Sequence, residues 1–322
     1  MSASELDWRP FTADDAGAWA DLMLAIEQAD GFGERYTPDD FADELGTPSL
    51  DLGLDTVTVL EGDAMIAFGI ITVPSSPSSG GFTIGLWGGV RPSHRSRGIG
   101  RDLLGRMEAR AADMHRDRLE GAASRLVVDA LDHTTDRRHL LERAGYSIER
   151  WFIDMDRDLT EPVEAPRVPA DLTLAGFDWA HDDAVRQAHN EAFTTHWGSS
   201  QRSPEEWQRW FTGDRHFRPD LSFVVLDDDE VAAYALCHRY PEEDELHGYT
   251  SGWLGQLGTR APWRGRGLGT SLLRRIVAAM QADGLDRAAL NVDSQNATGA
   301  LALYEREGFL ARIRKAAYTR EM

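Results

Sequence analysis

The apolar and polar positions of the chain alternate in two places in the same way. Thr56-Val57-Thr58-Val59-Leu60, the acidic break Glu61-Gly62-Asp63 and Met65-Ile66-Ala67-Phe68-Gly69-Ile70 predict a strand, a tight turn and a second strand. Ser222-Phe223-Val224-Val225-Leu226, Asp227-Asp228-Asp229 and Val231-Ala232-Ala233-Tyr234-Ala235-Leu236 predict the same hairpin again. Helical spacing is duplicated too. Leu103, Leu104, Met107, Ala111 and Met114 make one apolar face, and Leu272, Leu273, Ile276, Val277 and Met280 make another. Amphipathic segments at Asp15 to Glu27 and Asp182 to Phe193 open each half. A glycine-rich stretch follows each hairpin, and Leu140-Leu141-Glu142-Arg143-Ala144-Gly145-Tyr146 is echoed by Leu303-Tyr304-Glu305-Arg306-Glu307-Gly308-Phe309. One unit therefore occurs twice, with a period of half the chain. The expected fold class is mixed α/β, two tandem domains, each a central mixed sheet flanked by helices. Pro162, Pro166 and Pro169 deny backbone donors and favour an extended path. They mark a linker at 159–170 between a domain at 1–158 and another at 171–322.

Composition narrows the chemistry. The 322 residues are 42% hydrophobic and 27% charged, as in a folded soluble protein. Cys237 is the sole cysteine, which excludes an intramolecular disulfide and a cysteine-rich zinc site. Lys and Arg total 34 against 54 Asp and Glu, a formal charge of −20. Such a field repels a nucleic-acid backbone and attracts cations, so a small-molecule amine is the expected partner and nucleic acid is not. The segment Met1 to Trp8 has neither a cationic start nor an apolar stretch, and no run of about 18 apolar residues follows, so the expected place is the cytoplasm and no membrane. Oligomeric state is left open.

An anionic ligand then needs a local basic nest, and each half has one. Arg95-Ser96-Arg97-Gly98-Ile99-Gly100 and Arg264-Gly265-Arg266-Gly267-Leu268-Gly269 both lead from a strand into a helix. There the helix dipole and its unbonded N–H groups favour an anion, and glycine lets the backbone approach it. Arg95, Arg97 and Arg101 in the first copy, and Arg260, Arg264 and Arg266 in the second, supply positive charge, so a pyrophosphate is the expected guest. The dinucleotide fingerprint fails because Leu103 and Leu272 stand where its third glycine belongs, and no P-loop sequence is present.

Both halves resemble the GNAT superfamily of acyl-CoA-dependent N-acetyltransferases, whose signature is Q/R-x-x-G-x-G/A followed by a helix. The second half is the closer match: its turn is followed by Leu290-Asn291-Val292-Asp293-Ser294-Gln295-Asn296-Ala297 and then by the Leu303 to Phe309 ending, three motifs in the family's order. The tandem arrangement is similar to that of the mycothiol synthases and related actinobacterial two-domain acetyltransferases. The resemblance implies acetyl-CoA as cosubstrate, no metal, and direct transfer to an amine. It implies that Arg264, Gly265, Arg266, Gly267, Leu268, Gly269 and Thr270 hold the cofactor, with N–H donors at Leu257 and Thr259. Tyr304 takes the general-acid position, since a phenol keeps its proton at neutral pH. Asn296 stands where the family holds the pantetheine arm, and a helix N-cap accounts for it equally well.

The first half departs at that acid. Leu141 replaces Tyr304 and cannot donate a proton, while the turn with Arg95, Arg97, Gly98 and Gly100 is intact; the expectation is a non-catalytic domain that binds the cofactor or retains the fold. The general base is unassigned, because Ser251 to Gln256 offers no carboxylate; Glu245, His247 and His196 are the candidates. Asp227 to Glu230 reads as a solvated hairpin turn, Cys237 as a packed thiol, and Pro74 to Gly81 as a serine-rich loop. The resulting expectation is acetyl-CoA-dependent N-acetylation of a primary amine of a small molecule by the second half. The alternatives are a mycothiol synthase proper, with a cysteinyl amine as acceptor, and an acyl-CoA sensor without catalysis.

Overall fold

The computed structural model describes residues 6–78, 80–296 and 299–322. Met1 to Glu5 of the N-terminal segment, Ser79 of the serine-rich loop, and Ala297, which ends the motif after Leu290, lie outside the described residues. The first half runs β1 (Asp7–Arg9), α1 (Ala16–Asp30), α2 (Pro38–Leu45), α3 (Leu52–Asp55), β2 (Thr56–Glu61), β3 (Ala64–Thr72), β4 (Phe82–Val90), α4 (Ile99–Arg118), β5 (Ser124–Leu131), α5 (Thr135–Arg143) and β6 (Ser147–Asp158). The second runs β7 (Thr173–Gly176), α6 (Asp182–Ala192), α7 (Pro204–Trp207), β8 (Phe223–Asp227), β9 (Glu230–His238), α8 (Asp244–His247), β10 (Ser251–Thr259), α9 (Leu268–Ala282), β11 (Arg287–Asp293), α10 (Ala300–Arg306) and β12 (Leu310–Glu321). The duplicated patterns thus give duplicated elements, mixed α/β in each half.

The chain forms two compact units: the residues up to Trp151 with Lys315–Met322, and Phe152–Arg314. In the first unit the strand order is β1-β2-β3-β4-β5-β12; in the second it is β6-β11-β10-β9-β8-β7. Each sheet has one parallel pair, β4 with β5 or β10 with β11, because a strand, a crossover helix and a strand must run the same way. The last strand of each half closes the other half's sheet. Phe152 to Asp158 pair antiparallel with β11, and Lys315 to Glu321 pair antiparallel with β5. The proline-bearing stretch 159–170 lies inside the second unit. Gln281 on α9 donates to the carbonyls of Leu159 and Glu161, both at 2.8 Å, and Val163 and Val168 pack on the apolar core.

Two apolar layers cover the second sheet. Along β9, Ala233, Ala235 and Cys237 face the cluster built by Leu272, Leu273, Ile276, Val277 and Met280 of α9. Tyr234 and Leu236 face the opposite cluster, with Val185 and Ala188 of α6, Trp207 and Phe211. This is the period-two alternation read in the sequence, and each fully buried Leu or Ile contributes about 1.5–3 kcal/mol. Cys237 is buried, its thiol pushed up by burial, as a packed and unreactive group. The first unit repeats the plan, with Leu103, Leu104, Met107, Ala111 and Met114 of α4 on one face and the aromatic cluster of Trp19, Phe41 and Phe68 on the other. Asp227 to Glu230 form the hairpin turn, and Asp227 also accepts the Trp263 indole N–H at 2.8 Å.

Candidate active site

In each sheet the parallel pair parts before its strands end. β10 pairs with β11 only from Ser251↔Arg287 to Leu254↔Leu290, while its other edge stays on β9 as far as Thr259↔Ala233. A bulge between Leu254 and Gln256, with Gly255 as the extra residue, bends β10 away from β11. Beyond it the Arg260 N–H donates to the Ala232 carbonyl on the β9 side at 3.0 Å. Alternation along an extended strand therefore turns the N–H groups of Leu257 and Thr259 toward the side that β11 has left.

The turn after β10 sits at the mouth of this opening. Gly265 (φ 76°) and Gly267 (φ 79°) are both left-handed, a conformation open to glycine and strained for other residues, and Gly267 caps α9. The first bond into α9 runs from the Ser271 N–H to the Gly267 carbonyl at 3.0 Å. The N–H groups of Leu268, Gly269 and Thr270 ahead of it have no intrahelical acceptor, which is the anion-binding arrangement of a helix start. Leu268 itself is buried and anchors the turn in the core. Of the arginines, Arg266 is paired with Asp171 at 2.6 Å, and Arg260 with Glu191 and Glu230, both at 2.6 Å. Arg264 donates to two carbonyls instead, Thr259 at 3.1 Å and Ala192 at 3.0 Å, and among the described residues no carboxylate offsets its charge. A phosphate-bearing thioester suits these donors; bound there, it would supply the activated acyl group.

Tyr304 lies in α10, the helix after β11, at 7% exposure with its ring edge-on to Phe309. Burial pushes its phenol up to about 12, so it stays protonated at any physiological pH. Among the described residues none hydrogen-bonds its hydroxyl. Asn296 sits in the turn before α10, donating its N–H to the Asp293 carbonyl at 3.1 Å; the N-cap of α10 is Gly299, so the capping alternative for Asn296 does not hold. The base candidates are scattered: Glu245 and His247 on α8, and His196 in the loop after α6, its Nδ1 3.2 Å from the Trp197 carbonyl.

A group that sequence reasoning passed over borders the bulge. His238 on β9 is buried, and its Nε2 must carry the proton because it donates to the Phe211 carbonyl at 3.2 Å. Nδ1 is then a bare acceptor, 2.9 Å from where a Cβ on Gly255 would stand. Burial holds this imidazole below the ordinary histidine range. The histidine closes an apolar strand and faces residues 17 and 27 positions away, so no local pattern signals it.

In the first unit the same parts recur with changes. Arg95, Arg97, Gly98 and Gly100 form the turn into α4, with Gly98 at φ 85° and Ser96, in place of Gly265, at φ 61°. Arg95 is held by Asp30 through two bonds of 2.7 and 2.8 Å, and Arg97 by Glu61 at 3.0 Å. Leu141 is buried at 2% exposure in the core.

The family model described as the acetyltransferase (GNAT) family matches residues 183–309. A mycothiol acetyltransferase of Salinispora arenicola is 30% identical, over 79% of this chain and 77% of that protein. One from Streptomyces coelicolor is 27% identical, over 90% of this chain and 87% of that protein. Among solved structures, a GCN5-related N-acetyltransferase from Sphaerobacter thermophilus matches with a TM-score of 0.75 and 25% identity, over 98% of this chain and 95% of that one. A tandem GNAT protein from the clavulanic acid biosynthesis pathway, at 20% identity and a TM-score of 0.73, shares the fold over 98% of both chains. No helix among the described residues is long and apolar enough to cross a membrane. The chain belongs to the GNAT acetyltransferase family, and its class of activity is acyl-CoA-dependent N-acetyl transfer.

Proposed function

We propose that the second unit carries the activity, transferring an acetyl group from acetyl-CoA to the primary amine of a small molecule. The observation that carries this reading is the opening between β10 and β11, with N–H groups on one lip that β11 no longer pairs and a glycine turn at its mouth. An amide-bearing chain docks on such a free strand edge through main-chain bonds, and the N–H groups of Leu257 and Thr259 are donors for it and for a polarised thioester carbonyl. Gly265, Gly267, Leu268, Gly269 and Thr270 receive the diphosphate at the start of α9, and Arg264 adds charge. Tyr304 supplies the proton that the departing sulfur needs, since its phenol is neutral and no described residue competes for it. Asn296, in the turn between β11 and α10, is the contact for the cofactor's arm.

The acidic surface favours a cationic acceptor. Relatives bear the name mycothiol acetyltransferase, and a cysteinyl amine is the acceptor we propose to test first, with the cytoplasm as its place. The test is release of free thiol from acetyl-CoA across cysteinyl pseudodisaccharides, aminoglycosides, polyamines and peptide N-termini. Turnover is expected to be fastest with the cysteinyl compound and abolished in Gly267→Asp. No release with any amine ends this reading; release that survives in Gly267→Asp removes the turn from it.

A further inference from the structure

The two openings of this chain are not equivalent. In the first unit β4 pairs with β5 from Phe82↔Ser124 to Gly85↔Val127 and then leaves it, as β10 leaves β11. Across the gap lies a side chain. Arg137, in the first turn of α5, donates through Nη1 to the carbonyl of Gly88 at 2.8 Å and through Nε to the carbonyl of Asp129 at 2.7 Å. Gly88 is on one lip, three residues beyond the last pair, and Asp129 is on the other, two residues beyond it. The planar guanidinium is a fork of donors in fixed geometry, so it can bridge two acceptors that the strands themselves no longer pair.

Matching the two copies on Leu140-Leu141-Glu142-Arg143 and Leu303-Tyr304-Glu305-Arg306 sets Arg137 against Ala300. The lips at Gly88 and Asp129 correspond to Leu257 and Val292. A side chain that ends at Cβ cannot span the second opening, whereas Arg137 takes in the first one an acceptor that a docked amide chain would need. The anion end of the first site is weakened as well. Arg95 is offset by Asp30, where among the described residues its counterpart Arg264 meets carbonyls alone; Arg97 is offset by Glu61 just as Arg266 is by Asp171, so the difference lies in Arg95.

We infer that Arg137 closes the first opening against acyl-CoA, so that the protein takes one cofactor molecule per chain, in the second unit. This rests on the reading of the β10–β11 opening as the cofactor site. The first unit's turn at Arg95 to Gly100 then serves the fold, and the residue that decides between a binding and a non-binding copy is Arg137.

The experiment is equilibrium dialysis of the full chain with radiolabelled acetyl-CoA, on the wild type, Arg137→Ala, Arg137→Lys, Gly267→Asp and the double variant Arg137→Ala/Gly267→Asp, each checked by thermal melting. One molecule per wild-type chain, none in Gly267→Asp, and a second, weaker site in both Arg137 variants are expected, with the thiol-release rate of Arg137→Ala unchanged. Lysine keeps the charge but lacks the planar fork whose Nε and Nη1 reach the two carbonyls, so it separates the fork from the charge. Two molecules per wild-type chain, or one retained in folded Gly267→Asp, would overturn the inference. So would a folded double variant that binds no more than Gly267→Asp. Failure of the underlying reading looks different: one molecule bound per chain and no thiol released with any amine.

Discussion

Replacing Tyr304 by phenylalanine removes one oxygen and leaves the ring. The ring is buried and edge-on to Phe309, so packing is conserved, and the lost hydroxyl has no hydrogen-bond partner among the described residues. Stability is therefore expected to change by less than about 1 kcal/mol, because no buried donor or acceptor is orphaned. Catalysis is another matter. A positioned general acid contributes roughly 10²–10⁴ in rate, and its loss raises the barrier by about 3 kcal/mol at the low end. Burial that lifts the phenol to about 12 also raises the proton affinity of a thiolate leaving in the same surroundings, so the two stay matched. A phenol lifted so far gives no alkaline fall in kcat over the range in which the protein can be assayed. Thiol release at saturating amine should drop at least about 100-fold in Tyr304→Phe, with acetyl-CoA affinity unchanged by dialysis and Tm nearly constant. A kcat within threefold of the wild type would refute the role. A parallel loss of cofactor affinity would show that the hydroxyl only holds the ligand.

Two further expectations concern the framework behind the site. His189 is buried on α6, its Nδ1 2.7 Å from the Tyr234 hydroxyl, and burial presses its pKa down to about 3. Because the folded value lies below the ordinary 6.5, the unfolded chain takes up a proton that the native chain refuses; the stabilisation is complete above pH 6.5 and falls by about 1.4 kcal/mol per unit below it. Between pH 6.5 and 5 the loss is about 2 kcal/mol, and denaturant midpoints should show a shallower pH dependence in His189→Gln; equal slopes would remove His189 as the cause. Gly258→Ala drives a Cβ into the Tyr234 ring and hydroxyl, which are fully buried and cannot step aside, so a cost of about 1–3 kcal/mol is expected as a lowered Tm, and an unchanged Tm would contradict it.

Local patterns were readable because they are local. Hairpins, helix faces and the two glycine turns each follow from a dozen neighbouring residues, and the duplication made each reading count twice. The path of the closing strands was not readable. Residues 147–158 look like a strand in either sheet, and nothing in their pattern says that Phe152 to Asp158 belong beside β11. The prolines of 159–170 read as a linker, yet Val163 and Val168 pack on the second core: proline limits how a segment runs, and the apolar residues beside it decide what it covers. Charges behaved likewise. The arginines of the turns are plain in the sequence, but whether each is offset depends on partners such as Asp30, 65 residues from Arg95, or Glu191, 69 residues from Arg260. Arg137 reads as an ordinary surface residue at a helix start until the parting of β4 and β5 gives it two carbonyls to bridge.

The crossing of the closing strands sets an order on how this molecule can be made. A ribosome delivers β5 long before Lys315 to Glu321, the segment that must lie against it, so the first unit's sheet waits with a bare edge until that segment emerges. Unpaired edges of that kind invite wrong partners, and the hazard lasts while everything between the two segments is made. The same geometry warns against cutting at the prolines: a fragment starting at 171 loses the neighbour of β11, and one ending at 158 carries seven residues of strand with no sheet to join.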